Sequence, residues 1–112
     1  RAMDAINRKI SRMGGITKTK VVRGGCTTLG LILTTAGTWG GEITDAAIAH
    51  LAHSIPRESH FQSSAFSEYA TIEIADGGPV IADGFMTASD APGLGIVPKF
   101  DVLGEPIAEY SA

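Results

Sequence analysis

Ala5-Ile6-Asn7-Arg8-Lys9-Ile10-Ser11, followed by Gly14-Gly15, is the stretch on which the fold turns. Its alternation predicts a strand with Ile6, Arg8 and Ile10 on one face and Asn7, Lys9 and Ser11 on the other. Thr17 is a fair N-cap for a helix over 18–28. Gly24-Gly25 weakens that helix by ~1 kcal/mol each relative to alanine, and Gly30 closes it. Leu31-Ile32-Leu33-Thr34 is a short apolar run of the kind buried in a parallel sheet. A loop over 35–41, centred on Trp39, leads to the clearest helix, Glu42 to Ser54. There Ile43, Ala47, Ile48, Leu51 and Ile55 form an apolar stripe and Pro56 stops the helix. With His60 to Ala65 as a further strand, the order is strand, helix, strand, helix, strand, which suits right-handed βαβ units on a parallel sheet.

Beyond residue 66 the pattern changes. Tyr69 to Ala75 alternates, Asp76-Gly77-Gly78-Pro79 reads as a turn, and Val80 to Met86 is expected to return as the partner strand. Ser89 to Ala112 reads as an extended tail packed on something larger. The predicted division is therefore 1–66, a sheet with helices, and 67–112, a hairpin and tail.

With 112 residues, 44% hydrophobic, the chain fits one folded unit and is too apolar for disorder. No apolar run approaches the ~20 residues of a membrane span. No charged segment followed by an apolar one opens the chain, so export is not expected and a cytoplasmic location is. Cys26 alone cannot form an internal disulfide. Residues 1–56 carry net charge +4 and residues 57–112 carry −7. The basic half contains no aromatic residue among its cations to stack a base. They read as solvated ends of a strand and a helix, and nucleic acid is not an expected partner. Three parallel strands with two helices leave open edges, and the first residue is Arg, so the chain is expected to be the back part of a larger protein.

Three stretches together resemble one family. Ala5-Ile6-Asn7-Arg8-Lys9-Ile10-Ser11-Arg12-Met13-Gly14-Gly15-Ile16-Thr17-Lys18 is similar to the sixth barrel strand of the enolase superfamily, in its mandelate racemase and muconate lactonizing branch. Thr38-Trp39-Gly40-Gly41-Glu42-Ile43, with Ala46-Ala47-Ile48-Ala49-His50-Leu51-Ala52, resembles the seventh strand's loop and the helix after it. Ser89-Asp90-Ala91-Pro92-Gly93-Leu94-Gly95-Ile96 resembles the segment that returns to the capping domain. The Thr-Trp-Gly-Gly loop and Phe100 to Pro106 look most like the cis-3-hydroxy-L-proline dehydratase group, with proline-betaine racemases and hydroxyproline-betaine epimerases as neighbours.

The resemblance implies an α/β fold that is the C-terminal portion of a (β/α)8 barrel. Strands six to eight with their helices would be followed by a β-hairpin and an extended tail of the capping domain. It implies a Mg2+-dependent lyase or isomerase that removes the α-proton of an amino-acid-like carboxylate, with Lys9 as the base. The ion would stabilise the enediolate, on carboxylates that this chain does not carry. The same resemblance makes Thr38, Trp39 and Gly40 candidate substrate contacts. Taken by themselves, Lys9 is a strand-end lysine, Trp39 a core tryptophan and Gly40-Gly41 a loop-to-helix turn.

His50 and His53 share a helix without a carboxylate at ligand spacing, and no metal site is expected in this chain. Cys26 is expected to be a buried thiol. An acidic pair precedes Thr-Trp-Gly-Gly in the dehydratase group, whereas this chain has Ala36 and Gly37. The expected partners are the remainder of the barrel or another chain, within a homo-oligomer. The isolated chain is expected to be inactive. The alternative to a catalytic parent is a non-catalytic assembly piece, stable only when bound to another chain.

Overall fold

A computed structural model describes residues 2–111. Three strands, β1 (Ala5–Lys9), β2 (Ile32–Ala36) and β3 (His60–Ser64), form a parallel sheet in sequence order. Helix α2 (Ile16–Thr28) connects the first pair and α3 (Gly41–His53) the second. The register pairs Lys9 with Ala36 and Ala36 with Ser64, so the C-terminal ends of all three strands share one rim.

β1 stops at Lys9, two residues earlier than alternation predicts. Ile10–Met13 instead coil into one helical turn, α1, closed by Gly14 at φ 79 with its N–H on the Ile10 carbonyl. Gly15, at φ 110, rather than Thr17, begins α2. Its far end is a Schellman closure: the Gly30 N–H meets Thr27 O at 3.0 Å and the Leu31 N–H meets Cys26 O at 2.9 Å, with Gly30 left-handed. The sequence reading placed Gly30 at this stop, and Gly24-Gly25 do not interrupt the helix.

Alternation divides the sheet into two faces. Ile6 packs with Val22 on a cluster of Cys26, Leu31, Leu33 and Ile55, and Arg8 and Thr35 lie in full burial on that same side. Arg8, expected to be solvated, is instead 0% exposed. Its Nη2 donates to Thr35 Oγ1 at 2.7 Å, while Nε and Nη1 have no hydrogen-bond partner among the described residues. Burial pushes its pKa down, with Arg23 adding to that and Cys26 opposing it. A second cluster joins Ile10 to Ala47, Ile48 and Leu51 of α3, with Met86 and Leu94 against it.

The other face carries Ala5, Asn7 and Ile32 exposed, with Lys9 and Thr34 half-buried. No helix covers it among the described residues. The chain exposes 7675 Å2, where a compact monomer of its mass would expose ~5,800 Å2.

The second part departs from the expected hairpin. β4 (Ala75–Asp76) pairs with β7 (Val97–Pro98), and β5 (Val80–Ala82) pairs with β6 (Phe85–Thr87). The tight turn is Asp83-Gly84, both at positive φ (51 and 78), not Asp76 to Pro79. Aspartate and glycine tolerate that backbone, whose twist matches paired strands. The tail is not wholly extended: Phe100–Leu103 form a short helix, α4, and the residues after it are exposed. Glu42 ties this part to α3 by accepting the Ile74 N–H at 2.9 Å. No helix among the described residues is long and apolar enough to cross a membrane.

Candidate active site

The rim formed by the strand ends gathers most of the side chains that the sequence singles out. Lys9, the last residue of β1, is half-buried. Its Nζ donates to the Gly37 carbonyl at 2.8 Å and stands 5.4 Å from the centroid of the Phe66 ring. A cation over a ring face gains ~0.5–1 kcal/mol where water has access. Gly37 is held from the opposite side, its N–H meeting Ser64 O at 3.0 Å. A Cβ at Gly37 would stand 3.3 Å from Phe66 Cδ2 and 3.4 Å from Ile48 Cδ1, so this loop closes tightly over the β2–β3 rim.

Trp39 is not a core tryptophan. It is 69% exposed, takes φ 63, and stacks on Phe66 with centroids 5.3 Å apart. Left-handed backbone costs a residue with a Cβ ~1–2 kcal/mol, and ring stacking offsets part of that. Tyr69 completes the group, 6.0 Å from Trp39 and 6.2 Å from Phe66. Thr38 shares a hydroxyl–hydroxyl hydrogen bond with Ser11, which joins the β2 loop to α1. Gly40 is the N-cap of α3, its carbonyl accepting the Thr44 N–H at 3.3 Å. Gly41 follows at φ 56, where a Cβ would also stand 2.9 Å from Ile74. Lys9, Thr38 and Trp39 therefore lie along one rim, while Gly40 belongs to the start of the helix behind it.

Residue patterns alone did not single out Phe66, Tyr69 or Asp45. Phe66 follows β3 outside any predicted element and Tyr69 opens a stretch read as alternating, so only the fold brings them beside Trp39. Asp45 lies on the predicted helix at a position that reads as solvated. It is instead 3% exposed and accepts the Ser67 hydroxyl. Burial pushes the Asp45 carboxyl up, Ser67 and the Phe66 and Ser67 amides pull it back, and nearby Glu42 adds to the rise.

No group of three or more His, Cys, Asp or Glu among the described residues could hold a metal ion. His50 Nε2 donates to the Leu94 carbonyl at 3.2 Å, and His60 pairs with Ser63 at 3.0 Å. Cys26 is buried in the core. A cavity of about 850 Å3 lies between α3, β3 and the β5–β6 hairpin, lined in part by His53, Phe61, Phe66, Tyr69 and Phe85. It shares two rings with the rim but not Lys9, Thr38, Trp39 or Gly40. The amine and the exposed tryptophan thus stand on the rim, outside this cavity.

Comparison with known proteins gives four findings. Residues 1–102 match the family described as enolase C-terminal domain-like. The chain is 56% identical over 110 residues to cis-3-hydroxy-L-proline dehydratase of Roseibium aggregatum, covering 98% of this chain and 30% of that protein. It superposes with TM-score 0.89 and 37% identity on a mandelate racemase/muconate lactonizing enzyme of Roseovarius nubinhibens ISM, over 97% of this chain and 30% of that one. A member of the enolase superfamily from the same organism, complexed with magnesium, matches with TM-score 0.90 and 29% identity, over 99% of this chain and 30% of that one. The chain thus spans about a third of the length of these relatives.

Proposed function

The chain belongs to the enolase C-terminal domain-like family, and from that premise we propose that it forms the closing part of a (β/α)8-barrel enzyme that dehydrates cis-3-hydroxy-L-proline. In this reading β1, β2 and β3 are barrel strands six to eight. Residues 1–66 belong to the barrel, and residues 67–112 pack on the barrel and its capping domain. The open sheet face then lines the barrel interior, and the rim of Lys9, Ala36 and Ser64 is the mouth at which barrel enzymes hold their chemistry.

The observation that carries the proposal is Lys9 itself. It stands at a strand's C-terminal end, on the face no helix covers, with its amine held by one carbonyl and one ring. As the neutral amine, Lys9 takes the Cα proton of the bound amino acid. The electron pair left at Cα expels the 3-hydroxyl, which departs as water once an acid from outside this chain has protonated it. The enamine so formed tautomerises to the cyclic imine. Trp39 and Thr38 flank the substrate on the rim, and Gly40 fixes where their loop enters α3. A magnesium ion, as in the complexed relative, lowers the energy of a carboxylate-stabilised carbanion when bound. Its ligands would come from the remainder of the barrel, since this chain gathers no such group among the described residues.

A second reading, a racemase or epimerase of proline or hydroxyproline betaine, is favoured by one feature. Phe66 lies beside the Lys9 amine with Trp39 and Tyr69 packed around it, and aromatic faces attract quaternary ammonium groups. The test is a chimera in which this chain replaces the matching C-terminal part of the Roseibium enzyme. Imine formation from cis-3-hydroxy-L-proline is expected. Inversion of proline betaine without imine would favour the second reading, and neither product would overturn both. The isolated chain is expected to give no imine, and turnover by it would contradict the need for the rest of the barrel.

A further inference from the structure

We infer that Asp45 is a positioning residue for Lys9, acting from α3 through the backbone of residues 66–67. The inference rests on Lys9 being the base, but its test does not depend on turnover. Asp45 is almost fully buried, and among the described residues its only hydrogen-bonded side-chain partner is the Ser67 hydroxyl. The Phe66 and Ser67 amides also pull its carboxyl back from the rise that burial causes. A buried carboxylate without a cation is costly. Ala46, Ala47 and Ala49 show that small apolar residues suffice to pack this helix.

What the carboxylate holds is the segment that carries Phe66. That ring lies under the Lys9 amine and behind Trp39. The carbonyl that accepts the Lys9 proton belongs to Gly37, where a Cβ would stand 3.3 Å from Phe66 and 3.6 Å from Asp45 Oδ1. The ring contact of the amine therefore leans on the Asp45–Phe66 unit, and the Gly37 loop passes too close to that unit to admit a Cβ without a shift. Removing Asp45 would free the ring, and Lys9 would lose its direction across the rim while remaining on its strand.

The experiment is NMR of the lysine ε-methylene groups, with emission of Trp39, the sole tryptophan, as a second readout. In the unsubstituted chain the Lys9 ε-protons are expected upfield of those of exposed Lys20, shielded by the Phe66 ring. In Asp45→Ala and Ser67→Ala the shift is expected to collapse toward the Lys20 position and Trp39 emission to move to the red. Asp45→Asn keeps an acceptor oxygen and is expected to retain most of the shift. Leu31→Ala, which weakens the other core cluster, is expected to leave Lys9 unmoved.

Unmoved Lys9 signals in both Asp45→Ala and Ser67→Ala, with far-UV dichroism intact, would overturn the inference. So would a Leu31→Ala effect of equal size. Should Asp45→Ala unfold, Ser67→Ala, which deletes one hydroxyl, decides. An inactive chimera would leave this coupling standing, and unmoved signals would leave the assignment of the base standing.

Discussion

The two faces of the parallel sheet are built from the same strands, residue by residue in alternation, yet they have opposite surroundings. The face with Ile6, Arg8, Leu33 and Thr35 lies under α2 and α3 and is closed to water. The face with Asn7, Ile32, Thr34 and Lys9 is exposed or half-buried, with no helix over it among the described residues. A sheet that stood alone would put its polar residues on the open side and its apolar ones within. Here Ile32 lies in the open and an arginine is fully buried. The contrast is the one that the proposed function expects of a face lining a barrel interior.

The largest effects should separate the faces most sharply. Leu33→Ala or Ile48→Ala, at two fully buried positions, should lower stability in urea by ~3 kcal/mol. Ile32→Ala or Asn7→Ala on the open face should change it by under ~0.5 kcal/mol. Equal losses on both faces would mean that the open face is covered in solution.

Next, Arg8→Met should leave stability unchanged or raise it by ~1 kcal/mol, because two unpartnered nitrogens no longer need burial. A clear loss would show that the guanidinium has an acceptor.

Asp45 provides a finer contrast, on pH. Its folded-state pKa is raised by burial. Its contribution is therefore fully present below the ordinary carboxyl value and is lost as pH rises through the folded value. Stability of Asp45→Asn relative to the unsubstituted chain should thus increase from about pH 4 toward neutrality, read from urea midpoints across that range. A flat difference would contradict the burial of the charge.

The smallest effect belongs to the second part of the molecule. Lys99 bonds Asp76 at 3.0 Å and Glu73 at 3.1 Å in solvent, and Asp76 first, then Glu73, raises its pKa. The contribution is present at neutral pH and lost only above the ordinary lysine range. Lys99→Met should give a slight midpoint shift that vanishes in 1 M salt.

Much of the parallel layer was legible in the sequence because its signals are local. Leu31 to Thr34 is a continuous apolar run, Ile43 to Ile55 has helical spacing, and Gly30 supplies the left-handed stop. Position nine was singled out by family resemblance, while alternation placed it on one face of its strand. What failed were features decided by contacts far along the chain. The burial of Arg8 depends on Thr35, twenty-seven residues away. The true hairpin turn at Asp83-Gly84 lost out to Asp76-Gly77-Gly78-Pro79, which carries more turn residues but leads β4 to a partner at Val97–Pro98. Phe66, Tyr69 and Asp45 fall in separate stretches that carry no sign of their meeting, and only the closing of the rim brings them together.

The most direct measurement is exchange of the Cα proton of cis-3-hydroxy-L-proline with deuterated solvent by the chimera with the Roseibium enzyme, with Lys9 intact or replaced by methionine. Lys9→Met, folded and matching in substrate binding, should lose exchange by at least ~100-fold, the usual contribution of a positioned base. Exchange at an unchanged rate in that variant would contradict the account.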